Sequence, residues 1–146
     1  MRRADRHTRD LFEVPSPAPE LPGMLDFRPQ IASIVSEMTR AADIDRYEIS
    51  SRVSRLVGRD VSKNMLDAYA SELREDHNLP LYIVPALESV CSSHLLSGWL
   101  ADVRGGRLLI GRDALLSELG RLERSRDDAA AKIKRLKAQM GDVGHA

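Results

Sequence analysis

The chain has 146 residues, of which 42% are hydrophobic and 30% charged, a size that accommodates one modest core with extensions and not two full domains. Its 22 basic and 22 acidic residues give a formal net charge of zero, so binding to a polyanion requires local clusters of charge. The single cysteine, Cys91, excludes an intramolecular disulfide and no apolar run is long enough to cross a membrane, which together predict a cytoplasmic protein that does not bind membranes.

Residues 1–23 contain four prolines behind four arginines, a composition that predicts a flexible basic arm. Within the arm, the sequence TRDLF at residues 8–12 resembles the short peptide with which many proteins dock on the bacterial sliding clamp. Leu11 and Phe12 are therefore candidate contacts for a host or phage protein. The alternative, which we favour, is that both side chains attach the arm to the protein's own surface.

The domain proper is predicted over residues 24–111 and begins with a helix from Asp26, a candidate N-cap, to about Ala42. Pro29 suits the first turn of this helix. Its apolar side chains recur at helical spacing, at Ile31, Ile34, Val35 and Met38.

Residues 45–73 predict a helix-turn-helix pair. Asp45, followed by Glu48, resembles a capping box at the start of the first helix, which ends at Gly58. Ser62 is the predicted N-cap of the second helix. The apolar stripes of the two helices are Ile49, Val53, Leu56 and Val57, then Met65, Leu66, Tyr69 and Leu73.

A pair with so short a connection packs at a steep angle and leaves the outer face of its second helix free to enter a DNA major groove. The candidate nucleic-acid contacts are the polar residues of that face and the basic residues of the first helix and turn: Arg52, Arg55, Arg59, Ser62, Lys63, Asn64 and Arg74. Residues 40–75 contain seven basic and seven acidic side chains, which gives no net attraction for phosphate. The alternative is that the pair is only part of the scaffold.

A single helix is predicted from about Val84 to Asp102, since Pro85 suits a first turn and apolar residues follow at helical spacing. The glycine pair at 105–106 predicts a turn. Leu108–Ile110 is too short for a helix and allows a short wing-like β-ribbon with residues near Val103.

Residues 112–140 predict one long amphipathic helix, followed by a disordered tail at 141–146. Alternating steps of four and three residues form a heptad seam, consisting of Leu115, Leu119, Leu122, Arg126, Ala129, Ile133, Leu136 and Met140. The seam predicts a homodimer or the docking of a partner protein, with Leu119, Leu122, Ile133, Leu136 and Met140 as candidate contacts. Arg126 weakens a two-stranded coil but can fix its register; alternatively, it marks where the helix stops folding back on its own domain.

Motifs for catalysis are missing from the sequence: it has no nucleophile elbow, no HExxH and no GxxxxGK phosphate loop. Cys91 and His94 have helical spacing, but no further cysteine or histidine pair completes a zinc site. We therefore predict neither an enzyme, nor a metal, nor a cofactor.

Segments spread over nearly the whole chain carry a resemblance to a known group: RDLFEVP at 9–15, DRYE at 45–48, GRDVSK at 58–63, GGRLLIG at 105–111, and the terminal helix. The chain resembles small proteins of Mu-like transposable bacteriophages and prophages. The resemblance implies a phage setting but no activity and no site residues, and it favours a regulator or an accessory factor of transposition, replication or host takeover. The combined prediction is an all-α bundle that binds DNA, with an adaptor acting through the Leu11–Phe12 arm and the heptad helix as the alternative.

Overall fold

The computed structural model describes residues 14–143, and the regular secondary structure within this range is helical. Its helices are α1 (Arg28–Ala41), α2 (Arg46–Val57), α3 (Lys63–Tyr69), α4 (Val84–Cys91), α5 (Leu95–Val103) and α6 (Arg112–Val143), with a 3₁₀ turn at Leu81–Ile83. The all-α prediction is confirmed. None of these helices is long and apolar enough to span a membrane. The chain forms two compact units, one ending at Leu108 and the other beginning at Leu109.

The first unit is a bundle of α1 to α5 around one apolar core. Helix α2 packs against α3 and α4, while α1 packs against α4 and α5. The core side chains that lose nearly all their solvent contact are Val35, Met38, Ile49, Val53, Val61, Leu66, Ile83 and Leu87. An edge-to-face pair of Phe27 and Trp99, with ring centroids 5.3 Å apart, joins the start of α1 to α5.

The predicted limits of α2 are confirmed. The Asp45 carboxylate accepts a hydrogen bond of 2.8 Å from the backbone N–H of Glu48, and Gly58 ends the helix in the left-handed conformation with φ 73°. The Glu48 carboxylate pairs with Arg52 and does not reach back to complete a capping box. Helix α1 begins one residue later than predicted, with Phe27 and not Asp26 at the N-cap position, although Asp26 still accepts a bond from the N–H of Arg28.

Helix α3 is shorter than predicted. Ser62 caps it as expected, accepting a bond of 3.1 Å from the N–H of Met65, but the helix ends at Tyr69 and not at Leu73. Leu73 is 93% exposed, so extending the helix would bury no apolar surface to offset the lost chain entropy. Leu56, placed on the buried stripe of α2 by its spacing, is also exposed.

The single helix predicted over residues 84–102 is two helices. Ser92 ends α4 in the left-handed conformation, and the Ser93 hydroxyl accepts a bond of 3.2 Å from the N–H of Leu95 at the start of α5. The buried Glu88 carboxylate accepts bonds from the backbone N–H and the hydroxyl of Ser97. These polar side chains satisfy backbone groups that a continuous helix would otherwise have paired, which explains the break.

The proline-rich segment that precedes α1 is attached to the end of α5. Pro17 forms an isolated bridge with Arg104, and the N–H of Ala18 donates to the carbonyl of Val103 over 2.9 Å. The prediction of a flexible arm over residues 1–23 did not foresee this attachment. Leu11 and Phe12 lie outside the described residues, so both interpretations of them stay predictions.

The wing-like ribbon predicted for residues 108–110 is not formed. Val103, its expected partner, belongs to α5, and its carbonyl is bonded to Ala18. Gly105 has a φ of +77°, and a Cβ there would lie 2.6 Å from the nitrogen of Pro17. The glycine is therefore required both for the turn and for the close approach of the proline segment.

Candidate nucleic-acid interface

The turn between α2 and α3 is fixed to α2 by two serine side chains. The Ser54 hydroxyl accepts a bond of 2.8 Å from the N–H of Val61, and the hydroxyls of Ser50 and Ser54 lie within bonding distance of the Val61 carbonyl. The Val61 side chain is 1% exposed. Because both backbone groups of Val61 are satisfied by α2, the turn has a defined geometry and sets the entry angle of α3.

The buried faces of the two helices meet in the bundle core. Ile49 and Val53 of α2 and Leu66 of α3 have no exposed surface, whereas Asn64 in the first turn of α3 is exposed. The outer face of α3 therefore points to solvent at its amino-terminal end. This is the arrangement in which a helix-turn-helix presents base-contacting side chains.

A charged cluster lies on this face of α3. Asp67 pairs with Arg46 of α2 and with Lys63, whose Nζ lies 2.8 Å from its Oδ2. The hydrogen bond from Lys63, with a further one from Arg46, holds the pKa of Asp67 below its usual range, while Asp67 raises the pKa of Lys63. The Nζ of Lys63 also lies 5.5 Å from the ring centroid of Tyr47. Two cations thus share one carboxylate, which leaves the cluster net positive.

The basic side chains of α2 and the turn differ in their partners. Arg52 pairs with Glu48 over 2.8 Å. Arg59 stacks its guanidinium 5.8 Å from the ring centroid of Tyr82 and has no carboxylate partner among the described residues. Arg55 is exposed, and its side chain forms no ion pair or hydrogen bond with any residue that the structure describes. Arg55 and Arg59 therefore carry uncompensated positive charge.

The structure places three of the predicted contacts together at the start of α3 and removes one from that helix. Ser62, Lys63 and Asn64 lie at the start of α3, where Ser62 also serves as the cap. Arg74 lies beyond the end of α3, in a turn closed by its N–H and the carbonyl of Ser71. Its predicted place on the outer face of that helix is wrong, because the helix stops at Tyr69.

Sequence reasoning missed the partners of Lys63. The spacing of Lys63 and Asp67 is the i, i+4 spacing of a helical ion pair and would have indicated this contact. Arg46 and Tyr47 reach the cluster only through the packing of α2 against α3, for which the sequence carries no local signal.

A second candidate interface is α6, in the unit that begins at Leu109. The predicted long helix is confirmed and continues three residues further, to Val143, into the predicted disordered tail. It has 32 residues and spans roughly 48 Å at 1.5 Å per residue. The apolar side chains of the seam are at least half exposed: Leu115, Leu119, Leu122, Ile133, Leu136 and Met140.

In the part of the chain that the structure describes, the histidine, cysteine, aspartate and glutamate side chains include no group of three arranged to hold a metal ion. Cys91 is buried, and its burial raises the pKa of the thiol, which disfavours the nucleophilic thiolate.

Comparisons with protein-family models, with curated proteins and with solved structures give no match. The functional assignment therefore depends on the side chains of α2, α3 and α6 and on their placement.

Proposed function

We propose that this protein binds double-stranded DNA through α2 and α3, with the first turn of α3 in the major groove. The observation that carries this proposal is the exposed Asn64, beside the half-buried Lys63, at the start of a helix whose entry turn is bonded to α2 through Ser54. A recognition helix needs a fixed entry angle and polar side chains at its amino-terminal end, and α3 has both.

The charged cluster allows Lys63 to change partners without leaving Asp67 unpaired. When DNA approaches, Lys63 exchanges Asp67 for a phosphate or a guanine edge, while Arg46 stays on Asp67 and neutralises it. Without Arg46, the carboxylate would repel the phosphates. Asn64 has the donor and acceptor pair that matches the major-groove edge of adenine.

Arginines on α2 and in the turn supply the contacts that are independent of sequence. Arg55 and Arg59 lack carboxylate partners within the described range, and Arg52 can leave its exposed pair with Glu48 at small cost. With Lys63, these side chains can neutralise three to four phosphates, for which the slope of log affinity against log salt is about −3. Such a local set supplies positive charge for DNA on a chain whose net charge is zero.

The proposed role is that of a phage-type regulator or accessory factor of transposition, replication or host takeover, which the resemblance to proteins of Mu-like phages supports. We further propose that two copies associate through α6. Dimeric helix-turn-helix proteins read two half-sites, so self-association increases both affinity and specificity. The exposed apolar side chains of the α6 seam support this association of two copies.

The proposal is tested by selection from a pool of random-sequence DNA duplexes. The full chain is bound to the pool and the retained duplexes are sequenced over several rounds, beside Lys63→Ala and Asn64→Ala. The matched control is Arg40→Ala, which removes a positive charge from α1, outside the proposed interface. We expect the natural chain and the Arg40→Ala control to enrich a sequence motif. Lys63→Ala and Asn64→Ala should not enrich it. Equal retention of all duplexes by the natural chain would reject sequence-selective binding.

A second candidate function is that of a protein adaptor, and one surface favours it. Tyr82, under the Arg59 guanidinium, is 58% exposed, and Leu81 next to it is 75% exposed. Leu56, near the end of α2 and three residues before Arg59 in sequence, is 59% exposed. Exposed aromatic and arginine side chains beside apolar ones are typical of binding hot spots.

The two candidate functions predict different effects of Tyr82→Ala and Arg55→Ala on binding. In an adaptor, Tyr82→Ala weakens partner binding and Arg55→Ala does not. In a DNA-binding protein, Arg55→Ala weakens DNA binding, and Tyr82→Ala has at most a small effect through Arg59. The predicted adaptor contacts Leu11 and Phe12 lie outside the described residues and add no geometry to this choice.

A further inference from the structure

The seam of α6 indicates the relative orientation of two associated helices as well as their association. The inference on orientation rests on the association through α6 proposed above. In heptad order, Arg126 occupies a core position near the middle of the seam, and Ala129 occupies the next one. A parallel pair in register places Arg126 directly opposite Arg126 of the second copy, two guanidinium groups in one core layer. That layer is unfavourable because like charges meet where water is excluded.

An antiparallel pair fits the same seam without this conflict. When Arg126 lies opposite Ala129 of the second copy, every other seam position also meets a seam position. The layers are Leu115 with Met140, Leu119 with Leu136, and Leu122 with Ile133. Each Arg126 then faces the smallest side chain of the seam, which leaves room for its stem to cover Ala129 while the guanidinium reaches water.

Charges that flank the seam favour the same orientation. A parallel pair puts Lys132 beside Lys137 and Glu118 beside Glu123, and like charges at these flanking positions repel. Glu118 is partly neutralised by Arg121 of its own helix, but neither lysine has a carboxylate partner within the described range. The repulsion between lysines therefore persists in the parallel pair.

The two halves of α6 differ in charge. Residues 112–128 carry four basic and five acidic side chains, whereas residues 129–143 carry one acidic side chain, Asp142, and four basic ones, Lys132, Lys134, Arg135 and Lys137. An antiparallel pair keeps the basic halves of the two copies apart and places each along the nearly neutral half of the other. The geometry points to a second copy of this chain as the occupant of the seam, bound antiparallel with Arg126 opposite Ala129.

Disulfide trapping with single cysteines distinguishes the orientations. In a Cys91→Ala background, Leu119→Cys and Leu136→Cys chains are oxidised separately and as an equimolar mixture. The antiparallel pair brings residue 119 of one copy to residue 136 of the other, so the mixture yields a covalent dimer. Each variant alone yields at least fivefold less, because identical positions lie roughly 26 Å apart at 1.5 Å per residue.

Efficient dimers from each variant alone, with none gained on mixing, would show a parallel pair and overturn the inference. Sedimentation of the unsubstituted full chain keeps this result separate from the association itself. A monomer at tens of micromolar contradicts both the association and its orientation, whereas a dimer that traps as parallel contradicts only the orientation. The Cys91→Ala chain without an added cysteine is the control for trapping and for folding.

Discussion

Ser54 and Val61 are seven residues apart in sequence, and the Ser54 hydroxyl accepts a hydrogen bond of 2.8 Å from the Val61 N–H. The bond spans the turn between α2 and α3 and satisfies a backbone donor of a residue that is 1% exposed. With the bond from Ser50 to the Val61 carbonyl, it positions α3, and the proposed interface depends on this turn.

Ser54→Ala removes this acceptor and leaves the Val61 N–H without a partner. We expect the free energy of unfolding to fall by about 1–3 kcal/mol, the cost of an unsatisfied buried polar group. Urea denaturation followed by circular dichroism measures the change. Ser51→Ala, at an exposed position of the same helix, is the control and should change stability by less than about 0.5 kcal/mol. Equal losses in both variants would mean that the bond does not stabilise the turn.

Leu66 and Leu73 test where α3 ends. Leu66 is fully buried and Leu73 is 93% exposed. Leu66→Ala should reduce the free energy of unfolding by about 2–5 kcal/mol because it leaves a cavity in the core. Leu73→Ala should have almost no effect in the same denaturation experiment. A comparable loss for Leu73→Ala would show that α3 continues and buries this residue.

The Asp67 cluster predicts a dependence of stability on pH. Hydrogen bonds from Lys63 and Arg46 hold the pKa of Asp67 lower in the folded chain than in the unfolded one. The resulting stabilisation is complete above the ordinary pKa of an aspartate and is lost as the pH falls through that value to the folded pKa. Asp67→Asn should therefore be less stable than the natural chain at neutral pH, and the difference should vanish in acid. A difference that does not change with pH would exclude the ion pairs as its source.

Local signals predicted the features that depend on neighbours in sequence. The Asp45 cap, the Gly58 stop and the Ser62 cap each follow from one residue type at a helix end, and all three are present. The heptad spacing likewise predicted α6. Such features need no knowledge of the tertiary structure.

Features made by distant residues were not predictable in this way. The break between α4 and α5 depends on the Glu88 carboxylate meeting Ser97, and the attachment of the proline segment depends on Pro17 meeting Arg104. The Asp67 cluster recruits Arg46 from a different helix. The apolar periodicity predicted ends for α3 and α4 that lie beyond the observed ones. An apolar residue at helical spacing does not show whether its side chain has a core to pack against.

Arg126→Leu tests the least apolar layer of the proposed coiled coil, in which Arg126 lies opposite Ala129. Replacing the exposed guanidinium in the seam by an apolar side chain adds a leucine layer against Ala129, so we expect the dissociation constant of the dimer to fall at least tenfold. Sedimentation over a concentration series measures this constant. The control is Arg124→Leu, outside the seam, which should leave the association unchanged. Tighter association of both variants to the same extent would indicate non-specific association.

The most direct measurement is the affinity for a selected duplex and for its scrambled counterpart, by fluorescence anisotropy, at roughly 50 and 200 mM salt. We predict that the natural chain prefers the selected duplex and binds both more weakly at the higher salt. Asn64→Ala should lower that preference by about 5- to 150-fold, equivalent to about 1–3 kcal/mol for one base contact. Ser51→Ala, the control on α2, should keep it. Equal affinity for both duplexes in the natural chain, or an unchanged preference in Asn64→Ala and Lys63→Ala, would contradict DNA recognition by α3.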